Sequence, residues 1–204
     1  MAAVTGFRLP PLVVDYNQLW IAAELRGAGD GRGWAQVAAG ELLSRPQWAG
    51  YRTGKGEKRL IALLEQAAVI ARRRQDASIG MILIPSPEEG IKGMAAFCPV
   101  DLAGRAGDEA WDELLEQLAP EIPGDYPREI TRMETKAGPC RRLRLRYAEG
   151  EGPERPLGEH IGYLWVFEEY GAAVLMTMTF PDILQAAQWL PALDELALGV
   201  WLQQ

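Results

Sequence analysis

Residues 159–180 read EHIGYLWVFEEYGAAVLMTMTF, and the alternation within them decides the fold. Successive side chains of a strand point to opposite faces, so residues two apart share one. Ile161, Tyr163, Trp165 and Phe167 therefore line one face, and Gly162, Leu164 and Val166 the other. Tyr170-Gly171 reads as a turn, beyond which Val174, Met176, Met178 and Phe180 alternate with Ala173, Leu175, Thr177 and Thr179. A two-residue loop there predicts Phe167 opposite Val174, Trp165 opposite Met176, Tyr163 opposite Met178 and Ile161 opposite Phe180. That register joins large side chains across the strands. Both faces are largely apolar, and a sheet buried on both sides sits between helical layers.

The strands outside this hairpin extend the same sheet. SIGMILI (78–84) and GMAAFCPV (93–100) are apolar runs joined by a turn-rich segment. Residues 129–136 and 140–148 form a second hairpin around Ala137-Gly138-Pro139, in which Arg142, Arg144 and Arg146 alternate with Leu143, Leu145 and Tyr147. LPPLVVD (9–15) reads as a short edge strand with its prolines at the start. Residues 17–25 fit a strand or a helical turn.

Helices fill the intervals. EKRLIALLEQAAVIARRR (57–74) carries the stripe Leu60, Leu63, Leu64, Ala67, Ile70 and Ala71 at helical spacing. Its Glu57 start and Arg72-Arg73-Arg74 end suit the helix dipole, so the arginines read as a solvated helix end. A shorter helix spans 34–43 and stops before Pro46. Another spans 108–118, with Asp108 as its cap, Trp111, Leu114, Leu115 and Leu118 inward, and Pro120 and Pro123 beyond. A helical tail over 182–203 has the stripe Leu190, Leu193, Leu196, Ala197 and Val200, with Pro191 expected to kink or restart it. Polar or glycine-rich loops occupy 27–33, 50–56 and 149–158.

Strands joined by hairpins, with helices in blocks, give an α+β class: an antiparallel sheet of about six strands flanked by helices as an α/β/α sandwich. The expectation is one domain over residues 1–204, with a helical insertion at about 34–74.

Composition narrows the function classes. At 48% hydrophobic and 24% charged residues, the chain is ordinary for a globular domain. A net charge of −7 argues against nucleic-acid partners, which need a basic surface. No run approaches the ~20 apolar residues of a membrane span, and the opening residues lack a secretory pattern. A cytoplasmic protein without a membrane partner is expected. Cys98 and Cys140 are too few for a disulfide framework and read as two buried thiols.

Catalytic patterns are missing. Gly27, Gly29, Gly31 and Gly33 do not match G-x-G-x-x-G, and Gly50 to Gly56 departs from a P-loop. The chain has one histidine, so a zinc site built mainly on histidines is excluded. A Cys98–His160 dyad is conceivable but weighs less than a strand-end histidine and a buried thiol. Adjacent Glu168 and Glu169 point to opposite faces and make a poor acid–base pair. No catalytic residue, cofactor or metal is expected.

Two features carry what binding signal there is. Arg142, Arg144 and Arg146 set three guanidinium groups on one strand face, suited to a carboxylate or acidic partner. The alternative is a solvated face with arginine stems over apolar neighbours. Trp34, Trp48 and Trp111 lie near helix or loop edges, where ligand grooves form.

The segment 78–202 resembles the PsbP-like α/β sandwich family. The likeness rests on the long hairpin HIGYLWVFEEYGAAVLMTMTF, the acidic turn Pro181-Asp182 after it, and a closing amphipathic helix ending LDELALGVWL. The resemblance implies an antiparallel sheet between helical layers and a non-enzymatic role. Family members include a photosystem II extrinsic subunit, a nuclear factor that binds a small GTPase, and bacterial adaptor chaperones. Its motifs are hydrophobicity patterns, so no functional residue carries over, and the helical stretch 34–74 departs from the simplest family pattern. The function expected is a binding or adaptor domain for a protein partner, with a small-molecule-binding protein or enzyme as the alternative. Self-association through an edge strand is compatible with either.

Overall fold

The structure is a computed structural model that describes residues 9–23, 25, 31–74, 76–118, 126–148 and 156–203. In chain order the elements are β1 (Leu12–Val14), β2 (Trp20–Ala23), α1 (Arg32–Ser44), a 3₁₀ turn (Pro46–Tyr51), α2 (Gly54–Arg72), β3 (Ile79–Leu83) and β4 (Gly93–Asp101). There follow α3 (Gly107–Leu118), β5 (Glu129–Thr135), β6 (Gly138–Ala148), β7 (Leu157–Phe167), a 3₁₀ turn (Glu168–Tyr170), β8 (Ala172–Phe180), α4 (Ile183–Leu198) and β9 (Val200–Leu202). The fold is α+β. Seven strands form one antiparallel sheet in the order β2-β3-β4-β8-β7-β6-β5, and β1 pairs with β9 in a separate two-stranded sheet. The main sheet has seven strands where about six were expected, and the stretch 17–25, which fitted a strand or a helical turn, supplies β2. The glycine loop at 27–30, Pro120, Pro123 and the polar loop at 149–155 lie outside the described residues.

The chain divides into two compact units, residues 17–97 and the remainder. In the first, α1 and α2 cover one face of β2 and β3. Ala35, Ala38, Ala39 and Leu42 meet Leu60, Leu64 and Ala67 over Ile21, Ile82 and Ile84. Small residues let the helices approach closely: a side chain on Gly31 would lie 2.7 Å from the Ala68 methyl. The contact stripe therefore turns toward Ala68, and Ile70, expected inward, is 52% exposed. Helix α2 starts inside the expected 50–56 loop, because the Thr53 hydroxyl accepts from Gly56 N (3.2 Å) as its cap.

In the second unit, β5 to β8 form two hairpins. Four residues, Glu168 to Gly171, join β7 to β8, with Gly171 at φ +60°. The register is Phe167 opposite Ala172, Trp165 opposite Val174, Tyr163 opposite Met176 and Ile161 opposite Met178. This corrects the expected pairing by two residues, and an even slip keeps every side chain on its predicted face. Helix α3 covers one face, where Ala110, Leu114 and Leu115 meet Leu143, Leu164 and Ala173. Helix α4 covers the other and runs through Pro191 to Leu198 as one helix. Residues 200–202, expected to be helical, form β9 instead, and β1 is their partner rather than an edge of the main sheet. The backbone of Asp15 approaches Gly199 so closely that no side chain fits there, and Asp15 N donates to Gly199 O at 2.9 Å. No helix among the described residues is long and apolar enough to cross a membrane.

Candidate functional site

The arginine row on β6 faces α4 together with residues paired to it on β5 and β7. Glu129, Arg144 and Ile161 stand abreast, as do Thr131, Arg142 and Tyr163, and Met133, Cys140 and Trp165. Arg142 donates to Asp194 Oδ2 (2.6 Å), and Tyr163 donates its hydroxyl to Asp194 Oδ1 (2.7 Å), so α4 is held to the sheet through one carboxylate. Arg144 grips Glu159 with two parallel bonds of 2.8 and 3.0 Å, and Arg146 reaches Glu129 at 3.4 Å. Glu159 is fully buried, and Arg144 is held charged above the usual guanidinium value, first by the bonds to Glu159. Burial pushes the Tyr163 hydroxyl and the Cys140 thiol up, with Asp194 adding to both.

The row expected to bind a carboxylate is therefore balanced within the fold by Glu129, Glu159 and Asp194. The tryptophans are dispersed in role. Trp48 is fully buried, and Trp34 donates its indole N–H to Ala22 O (3.1 Å). Trp111 lies under the Arg141 guanidinium, 4.7 Å from the ring centroid. Arg141 also bridges Asp108 and Asp112, each at 3.1 Å. Asp108, expected as the cap of α3, serves that bridge. Glu168 takes the capping place, its Oε1 accepting from Gly107 N at 2.7 Å. His160 shares a hydrogen bond with Thr179 at 3.0 Å. Both cysteines are buried thiols rather than a disulfide. Among the described residues, no group of three or more His, Cys, Asp or Glu is placed to hold a metal ion.

What the sequence reading passed over is β5 itself. It ends the sheet, and among the described residues its outer side pairs with no strand. Its α4-side residues are tied down: Glu129 to Arg144 and Arg146, Thr131 to Arg142, and Thr135 to Trp165 and Gly138 O. Its α3-side residues are not. Ile130 is 44% exposed, and Arg132 and Glu134 make no hydrogen bond or ion pair among the described residues. Arg132 and Glu134 line an open cleft of about 300 Å³ together with Asp108, Trp111, Pro139 and Arg141.

Which β5 groups face outward follows from Pro139. Antiparallel residues alternate between pairs that exchange both backbone bonds and pairs that exchange none. Proline has no N–H, and Pro139 stands opposite Glu134, so that pair exchanges none. The backbone N–H and C=O of Ile130, Arg132 and Glu134 therefore point away from β6, toward the open edge. The sheet's other terminal strand is treated differently. Trp34 caps Ala22 O, and Arg45 caps Gln18 O (2.7 Å) and Trp20 O (3.1 Å), so side chains occupy carbonyls at and beside β2. Capping of this kind is how folded proteins blunt a sheet edge.

No family model, no curated protein and no solved structure matches this chain.

Proposed function

We propose that this chain is a non-catalytic protein-binding domain that takes an extended partner segment as an added strand along β5. The observation behind this reading is the contrast between the two terminal strands: β2 is capped by Trp34 and Arg45, whereas β5 leaves three outward N–H and C=O pairs uncapped among the described residues. Strand addition draws affinity from those backbone groups and specificity from alternate side chains. The resemblance of 78–202 to PsbP-like sandwiches supports an adaptor role of this kind, and the buried thiols suit a reducing compartment such as the cytoplasm. The test uses immobilised full-length chain as bait in extract from its native cells, beside an Arg132→Pro variant that removes one outward N–H. A partner held by the wild type and lost by the variant is expected. Identical capture by both would overturn the reading.

A small-molecule reading rests on the cleft beside Trp111, whose volume is at the lower end for ligand pockets. A ligand at a hundred times its dissociation constant should stabilise the protein by about 2.7 kcal/mol. A thermal-shift screen with small carboxylates and phosphates that stays flat would remove it.

A further inference from the structure

We infer that the segment added to β5 is β5 of a second copy of this chain, running antiparallel with a two-fold axis at Met133. The inference rests on the strand-addition reading above and names its occupant. Outward-facing residues can exchange backbone bonds only with outward-facing residues, so the axis must pass through a residue position rather than between two. That leaves few registers, and charge separates them.

An axis at Ile130 sets Arg128 against Arg132, and one at Arg132 sets that guanidinium against its own copy. An axis at Glu134 opposes two glutamates and brings Arg132 to Lys136. Like charges directly opposite are destabilising. An axis at Thr131 puts Arg132 across from Ile130 and Glu129 across from Met133. Its opposite-charge pair, Glu134 with Arg128, calls on an arginine outside β5 that is already bound to Glu116 at 2.7 Å. With the axis at Met133, Arg132 faces Glu134 of the second copy, and the symmetry makes this pair twice. Thr131 faces Thr135 twice, and Met133 meets itself. Opposite charges and threonine pairs are the favourable cross-strand combinations. The backbone phase agrees, because Arg132 and Glu134 both point outward while Met133 points inward.

The two charged side chains are available for their pair. Arg132 and Glu134 lack an ionic partner among the described residues, and Arg132 has Arg141 across from it on β6, already bridged to Asp108 and Asp112. Both open onto the cleft of about 300 Å³, which leaves room for a guanidinium and a carboxylate from the second copy. Ile130 would lie opposite Lys136, whose aliphatic stem can cover it.

Light scattering over a concentration series tests this on the full-length chain. The expected species has twice the 22.5 kDa chain mass. Arg132→Glu alone and Glu134→Arg alone should each weaken dimerisation roughly ten- to a hundredfold, and the double exchange should restore it. A second measurement removes dependence on those variants. Met133→Cys in a Cys140→Ala background should form an intermolecular disulfide, because residues on the axis have Cα atoms about 4.5 Å apart. The background change is needed because Cys140 lies opposite Met133 within one chain. A wild-type monomer at every concentration, a double exchange that fails to restore dimers, or no cross-link would each overturn the inference. A monomer whose capture of another protein is still lost in Arg132→Pro overturns only the second copy as occupant. A monomer with no proline-sensitive partner defeats strand addition as well.

Discussion

Pro139 stands directly opposite Glu134 in the β5–β6 ladder, and this one pairing fixes which backbone groups of β5 face outward. The alternation predicts an asymmetry between neighbours. Thr131→Pro deletes an inward N–H, strands a β6 carbonyl and should cost about 1–3 kcal/mol. Arg132→Pro deletes an outward N–H and should cost about 1 kcal/mol at most. Urea denaturation of the two variants measures the difference, and equal losses would contradict the assigned phase.

Arg144 and Glu159 form a buried, bidentate pair whose strength lies in its completeness. Glu159→Gln should destabilise by about 3–5 kcal/mol, toward the lower end because Glu129 still faces Arg144. Replacing both partners, Arg144→Met with Glu159→Leu, should recover most of that loss. Denaturation midpoints of the two variants decide, and a double variant no better than the single would show that the pair contributes beyond neutralising itself.

Stability should fall on the alkaline side in two steps. Burial raises the Cys140 and Tyr163 pKa values in the folded state, so each contributes fully below its unfolded value and loses that contribution as pH rises above it. Those unfolded values are about 8.5 for a thiol and about 10 for a phenol, and each group adds a slope of about 1.4 kcal/mol per pH unit. Cys140→Ala should flatten the profile between about pH 8.5 and 10, and Tyr163→Phe should remove about 1.4 kcal/mol per pH unit from the steeper slope above pH 10. Unfolding free energies measured along a pH series check this; parallel profiles for wild type and Cys140→Ala would refute it.

Gly199 has an ordinary backbone conformation, and space alone demands glycine there. An added methyl meets the Asp15 carbonyl. Gly199→Ala should cost about 1–3 kcal/mol through overpacking and loosen the β1–β9 pair. Proteolysis near residue 12 should accelerate in step with the loss. An unchanged cleavage rate would mean that the two strands do not depend on this approach.

The faces of the strands were legible in the sequence because alternation survives an even slip in register: Tyr163 and Trp165 share a face whether the turn centres on Tyr170 or a residue earlier. The register was not legible, since it depends on Glu168 to Tyr170 adopting a 3₁₀ turn, with Glu168 held by Gly107 of α3. The arginine row was visible as a pattern, but its partners Asp194 and Glu159 are brought to it by α4 and β7 from distant sequence. Val200 fits a helical stripe locally, yet pairing with Val14 draws it into a strand. The role of β5 was hidden for a related reason. Its sequence resembles any half-polar strand, and only the sheet order and the position of Pro139 expose its outward groups.

Amide hydrogen exchange along residues 129–135, followed by NMR at rising protein concentration, tests strand addition most directly. The amides of Thr131 and Met133 should be protected throughout by the β6 ladder. Those of Ile130, Arg132 and Glu134 should exchange freely in dilute protein and become protected as concentration rises. If those three stay unprotected at every concentration and in the presence of any captured partner, no strand adds to β5.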